Sequence, residues 1–66
     1  MQLTVNGETR AFESVADVAG LVAALGLDGR KVAVERNLEI VPRSTLTEVS
    51  VEDGDDFEIV HFVGGG

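Results

Sequence analysis

The sequence has no cysteine, no tryptophan and no tyrosine, and it holds one histidine, one proline and one methionine. The missing cysteines exclude disulfide staples, thiolate metal sites, catalytic thiols and any sulfur chemistry run on a cysteine side chain, and they point to a reducing, cytoplasmic setting. A lone imidazole has no second histidine or thiol with which to share a metal or build a triad, so His61 reads as a solvated or partly packed strand residue. Basic residues are scarce as well: Arg10, Arg30, Lys31, Arg36 and Arg43 are scattered among 12 acids, for a net charge of −7. Nucleic acid needs a concentrated positive field and is disfavoured; a partner with a basic surface is favoured. The longest apolar run, Ala19 to Leu27, falls far short of the ~20 residues that cross a bilayer, and Met1 leads into an alternating segment with no basic n-region. No membrane insertion or export is expected.

What is present supports a packed core. Hydrophobic residues make up 44% of the 66 positions and charged ones 26%, a balance that argues against disorder. Met1, Leu3 and Val5 alternate with Gln2, Thr4 and Asn6, the period of a strand with one buried face. Asn6-Gly7 favours a type I′ turn, which predicts a hairpin returning over Thr9 to Glu13. Ser14 with Asp17 three residues on has the form of a capping box and predicts a helix starting there. Val15, Val18, Val22 and Leu25 form its apolar stripe, Leu21 flanks it, and Gly26 is the αL stop. Gly20 inside that helix costs roughly 1 kcal/mol relative to Ala, with close packing as the only reading on offer. Lys31 to Arg36 alternates again, and Asn37 turns the chain into a short strand from Leu38 to Val41, which Pro42 confines to an edge. Ser44 to Ser50 predicts a short helical turn, Glu52-Asp53-Gly54-Asp55 a turn, and Asp56 to Val63 a last strand. The expected order is β-β-α-β-β-β, with a domain over 1–63 and a glycine tail over 64–66.

Few residues carry chemistry. Asp53, Asp55 and Asp56 surround Gly54, but no Glu closes a twelve-residue loop in the EF-hand pattern, and Asp and Gly are ordinary turn residues, so no metal is expected. Ser14, Ser44 and Ser50 lie in no nucleophile-elbow pattern, and so small a chain lacks room for a pocket of several hundred Å³, which argues against an enzyme. If Phe57 and Ile59 face the helix, strand alternation turns Val60 and Phe62 outward, where apolar groups beside acids make a recognition surface. Gly64, Gly65 and Gly66 lack Cβ atoms and make a thin tail reaching roughly 10 Å, suited to a narrow tunnel.

Taken together, Leu3-Thr4-Val5-Asn6-Gly7, Val32-Ala33-Val34-Glu35-Arg36-Asn37, Ile40-Val41-Pro42-Arg43, Asp53-Gly54-Asp55-Asp56-Phe57-Glu58-Ile59-Val60 and the terminal Gly65-Gly66 resemble the ubiquitin-like sulfur carriers of thiamine biosynthesis; Gly64 extends that family's Gly-Gly to three. The resemblance implies an α+β, β-grasp fold, a mixed sheet packed on one helix with the first and last strands parallel and adjacent. It further implies that the chain is no enzyme and binds no cofactor itself. An adenylyltransferase using ATP and magnesium converts the Gly66 carboxylate to an acyl-adenylate, sulfur arrives through a cysteine desulfurase relay to leave a thiocarboxylate, and thiazole synthase takes it. The small subunit of molybdopterin synthase, other sulfur-carrier relatives and a non-carrier β-grasp interaction module are the competing readings.

Overall fold

The computed structural model describes residues 1–62. Two hairpins flank a central strand. β1 (Gln2–Val5) and β2 (Glu8–Ala11) are antiparallel, as are β3 (Val32–Arg36) and β4 (Glu39–Val41), and β5 (Asp56–His61) lies between the two pairs, parallel to β1 and antiparallel to β3. The sheet order is therefore β2-β1-β5-β3-β4. One helix, α1 (Val18–Ala24), covers the inner face. This is the β-grasp arrangement that the resemblance implied, with its parallel pair of first and last strands.

Alternation decides which side chains enter the core. Leu3 and Val5 of β1, Val32 and Val34 of β3, and Phe57 and Ile59 of β5 are buried against Val18, Leu21 and Val22 of α1. Phe57, Leu3, Leu21, Val18 and Val22 are the largest fully enclosed side chains, so Leu21 belongs to the centre of the helix stripe rather than its flank.

The first hairpin turns as expected, with Asn6 at φ 50° and Gly7 at φ 83°, both in the left-handed region that type I′ demands. Its return strand runs over Glu8–Ala11 and ends sooner than the sequence pattern indicated. The helix start is also corrected. Ser14 is not the cap; its backbone bends at φ 52°, and the cap is Asp17, whose carboxylate accepts the Gly20 N–H at 2.7 Å. Two further first-turn donors, Val18 N–H and Ala19 N–H, are met by the carbonyls of Val49 and Leu46. Partners so remote in sequence leave no mark in a local capping pattern. The Asp17 cap itself crowds Gly20, where a Cβ would lie 3.3 Å from the capping oxygen. Gly26, at φ 77°, ends the helix as read.

The second hairpin differs from the first in one residue. Asn37 (φ 50°) and Leu38 (φ 71°) form its turn, so Leu38 belongs to the turn and β4 begins at Glu39. A leucine in the left-handed region costs roughly 1 to 2 kcal/mol, and the site is 86% exposed, so no burial offsets that cost.

A carboxylate network braces this turn. Buried Asp55 accepts from Arg36 Nε at 2.8 Å, Asn37 Nδ2 at 3.0 Å and the Glu52 N–H at 2.8 Å, while Asn37 Oδ1 accepts the Asp56 N–H at 2.9 Å. Burial alone would raise the Asp55 pKa, but the hydrogen bonds from Asn37, Arg36 and Glu52 outweigh it and hold the group below its ordinary value. Because the folded-state pKa lies below the unfolded one, near ~3.9, the stability it contributes is complete above that value and is lost as pH falls through the folded pKa. Asp55→Asn turns an N–H toward a donor, and we expect it to destabilise the fold by about 1 to 3 kcal/mol at neutral pH. In denaturant titrations the gap between variant and wild type should narrow below about pH 4; a pH-independent gap would remove the carboxylate from this role.

Candidate functional site

Among the described residues no layer covers the face of the sheet away from α1. Since Phe57 and Ile59 point inward with 0% and 6% exposure, Glu58 and Val60 point outward, and Val60 is 59% exposed. Ala33 pairs with Val60 across β3 and β5, and Glu35 pairs with Glu58 on one side and with Ile40 of β4 on the other. Phe62, just beyond β5, is 43% exposed and donates its backbone N–H to the Lys31 carbonyl at 2.7 Å. The outward face thus brings Ile40, Ala33, Val60 and Phe62 together with Glu35, Glu58 and Asp56.

Electrostatics make this face unusual. Glu35 and Glu58 lie directly opposite one another, a like-charge cross-strand pair that weakens a sheet. Among the described residues neither forms a salt bridge. Three of the five cations are committed elsewhere, Arg36 to Asp55 and Glu52, Arg30 to Asp28, and Arg10 over the Phe12 ring at 5.6 Å, while Lys31 and Arg43 form no ion pair among the described residues. The Arg30 hydrogen bonds hold the Asp28 carboxyl down to about 2. A face left acidic at its apolar centre fits a protein partner that supplies the positive charge.

The other residues singled out in the sequence have structural employment or lie apart. Asp53 accepts the Gln2 N–H at 2.6 Å, Asp55 is the buried hub described above, and the Asp56 backbone is held by Asn37. Among the described residues no cluster of three or more acidic or imidazole groups is placed to hold a metal ion. His61 is exposed and pairs with Val32. Gly64, Gly65 and Gly66 lie outside the described residues. Sequence reasoning missed Ile40, the Glu35–Glu58 pair and Leu38: the β3 alternation showed that Ala33 and Glu35 share a face, but only the β3–β5 pairing shows what they meet.

Comparison with known proteins supplies a context for this geometry. The model of the ThiS family matches residues 3–66. A sulfur carrier protein ThiS of Bacillus subtilis is 40% identical over 65 residues, which cover 97% of this chain and 98% of that protein. Two proteins named thiazole synthase match the whole chain, one of Paramagnetospirillum magneticum at 58% identity and one of Magnetococcus marinus at 42%; the chain spans only 20% of the length of each. A crystal structure of a thiamine biosynthesis protein (ThiS) from Geobacter metallireducens superposes with a TM-score of 0.83 at 36% identity, covering both chains fully.

The outward face is testable without any partner. Glu58→Gln removes the repulsion with Glu35 and is expected to raise the melting temperature by about 1 to 6 °C, given about 0.2 to 1 kcal/mol for such a pair. Phe62→Asp is expected to shift it by less than about 3 °C, because exposed positions contribute little. A large loss for Phe62→Asp would place that ring in the core.

Proposed function

This chain belongs to the ThiS family, and from that premise we propose that it is the sulfur carrier of thiazole assembly in thiamine biosynthesis, with Gly66 as the residue that bears the sulfur. The observation that carries this reading is end-to-end similarity to the Bacillus carrier, on a chain without a single cysteine. Sulfur held without a thiol needs another acyl or side-chain site, and a C-terminal carboxylate is one.

The chemistry follows from the carboxylate itself. With a pKa near ~3.5 it is a resonance-stabilised anion at neutral pH and resists nucleophiles. Attack of its oxygen on the α-phosphate of ATP, with loss of pyrophosphate, makes an acyl-adenylate. A sulfur nucleophile then adds to the acyl carbon, and AMP leaves with the former carboxylate oxygen. The end product is a thiocarboxylate. An adenylyltransferase supplies the active site for ATP and magnesium. A cysteine desulfurase relay delivers the sulfur as a protein persulfide, whose terminal sulfur displaces AMP to give an acyl disulfide. A second thiol cleaves that S–S bond, itself ending in a disulfide, to release the thiocarboxylate that thiazole synthase takes. The carrier is thus a cosubstrate of these enzymes and not a catalyst. Val60 and Phe62, with Ile40 and the acidic pair beside them, form the docking surface, and Gly64 and Gly65 form the narrow lead to Gly66. The two proteins named thiazole synthase support the last step, since a stretch similar to this whole chain makes up one fifth of each.

Position at Gly66 is the test. One residue added beyond it moves the reactive carboxylate by about 3.5 Å, and misplacement by even ~1 Å can cost about a hundredfold in rate. Replacing Gly65 by a bulky residue obstructs the same path. Both variants are expected to fold normally and to form no thiocarboxylate when incubated with adenylyltransferase, ATP, magnesium and sulfur donor, as read by intact-protein mass spectrometry. Efficient exchange of oxygen for sulfur on the extended chain would show that the terminus is not read in this way.

A further inference from the structure

We propose that Leu38 is a docking anchor, presented by the braced β3–β4 turn to an apolar pocket rimmed by basic side chains on thiazole synthase; the proposal rests on the carrier reading above and adds a residue that it does not contain. Leu38 combines two costs that its 86% exposure among the described residues leaves without offsetting burial. Its backbone sits at φ 71°, where glycine, asparagine and aspartate belong and a leucine is strained. Its side chain is 86% exposed, the most exposed large apolar residue among those described. The first hairpin of the same chain shows the relaxed solution, with Gly7 in the equivalent second position of the turn at φ 83°.

The turn is also held stiffly. Asn37 donates its backbone N–H to the Asp56 carbonyl at 2.7 Å, and its side chain spans the Asp55 carboxylate and the Asp56 N–H. Arg36 reaches the same carboxylate. A side chain presented by a fixed turn loses little freedom on binding, which is what an anchor requires. Strain kept in place by its surroundings marks positions that serve something other than stability.

Two observations choose the occupant. Ile40, two residues on and 78% exposed, continues the apolar surface onto the outward face, where Glu35 directly beside it and Glu58 beyond, neither in a salt bridge among the described residues, make the surroundings negative. The occupant therefore has an apolar centre and a positive rim. Thiazole synthase is the protein with which this domain shares a chain in its relatives, at up to 58% identity over all 66 residues.

The experiment compares wild type, Leu38→Gly, Leu38→Asn and Leu38→Met by thermal melting and by calorimetric titration into purified thiazole synthase. Gly and Asn relieve the strain and remove the anchor, so both are expected to melt at or above the wild-type temperature yet bind about 10- to 100-fold more weakly, the loss that follows from leaving a leucine-sized apolar group unburied. Met keeps the apolar volume and is expected to bind within about threefold of wild type, a fraction of the tenfold that each ~1.4 kcal/mol brings. Affinity unchanged in Leu38→Gly and Leu38→Asn, or a lowered melting temperature in both, overturns the anchor. If wild type itself neither binds the synthase nor passes it sulfur, the carrier reading falls and takes this proposal with it; if wild type binds and the Gly and Asn variants bind equally, only the anchor falls.

Discussion

The position of β5 between two hairpins is the constraint on which everything else depends. A strand with neighbours on both sides must have its N–H and C=O groups met throughout, since unpaired backbone groups in a core are costly. β1 pairs with it only at Asp56 and Phe57. Beyond that, the Asn6 side chain takes over, accepting from the Ile59 N–H at 2.8 Å and donating to the Ile59 carbonyl at 3.1 Å. Asn37 performs the matching task at the other end, at Asp56. Each hairpin therefore turns through an asparagine at φ 50°, and each asparagine uses its amide to tie its turn to the central strand. The left-handed geometry and the tertiary hydrogen bond come from the same residue.

This arrangement gives β5 two faces with opposite purposes. Inward, Phe57 and Ile59 complete the core under α1. Outward, Glu58 and Val60 stand on a surface that nothing in the described chain covers. Because the alternation is strict, burying one set obliges the chain to expose the other. The strand that closes the fold is the same one that displays the exposed apolar and acidic side chains of the outward face.

Local patterns revealed what local physics controls. Asn6-Gly7 announced its turn because both dihedrals are written in the dipeptide, and the alternation of Leu3, Val5, Val32 and Val34 announced the buried faces. The helix cap was misplaced at Ser14 because the true arrangement uses carbonyls of Leu46 and Val49, brought close only by the folded chain. Leu38 was read as a strand residue because leucine carries no turn signal; its left-handed backbone is imposed by the network around Asn37 and Asp55. Exposure at Val60 followed from period two, yet the Glu35–Glu58 pair required knowing that β3 lies beside β5. The Asp17 cap, three residues from the Gly20 N–H it accepts, was the local exception; the other misses were pairings between distant segments.

The distribution of costs across the molecule separates structure from function. On the inner side the chain leaves nothing unresolved: among the described residues every buried side-chain polar atom has a partner, and even the buried Asp55 is satisfied by three donors. The departures from good local chemistry are a leucine in a glycine conformation, two glutamates facing each other, and Ile40 and Val60 set out in solvent. Apart from Ser14, whose backbone at φ 52° lies ahead of α1, they fall on the outward sheet face or the adjoining turn. Sequences are expected to be locally consistent except where another requirement competes with stability. Costs scattered at random would argue for a tolerant small fold; costs gathered largely on one side of the sheet mark that side as answering a requirement other than stability.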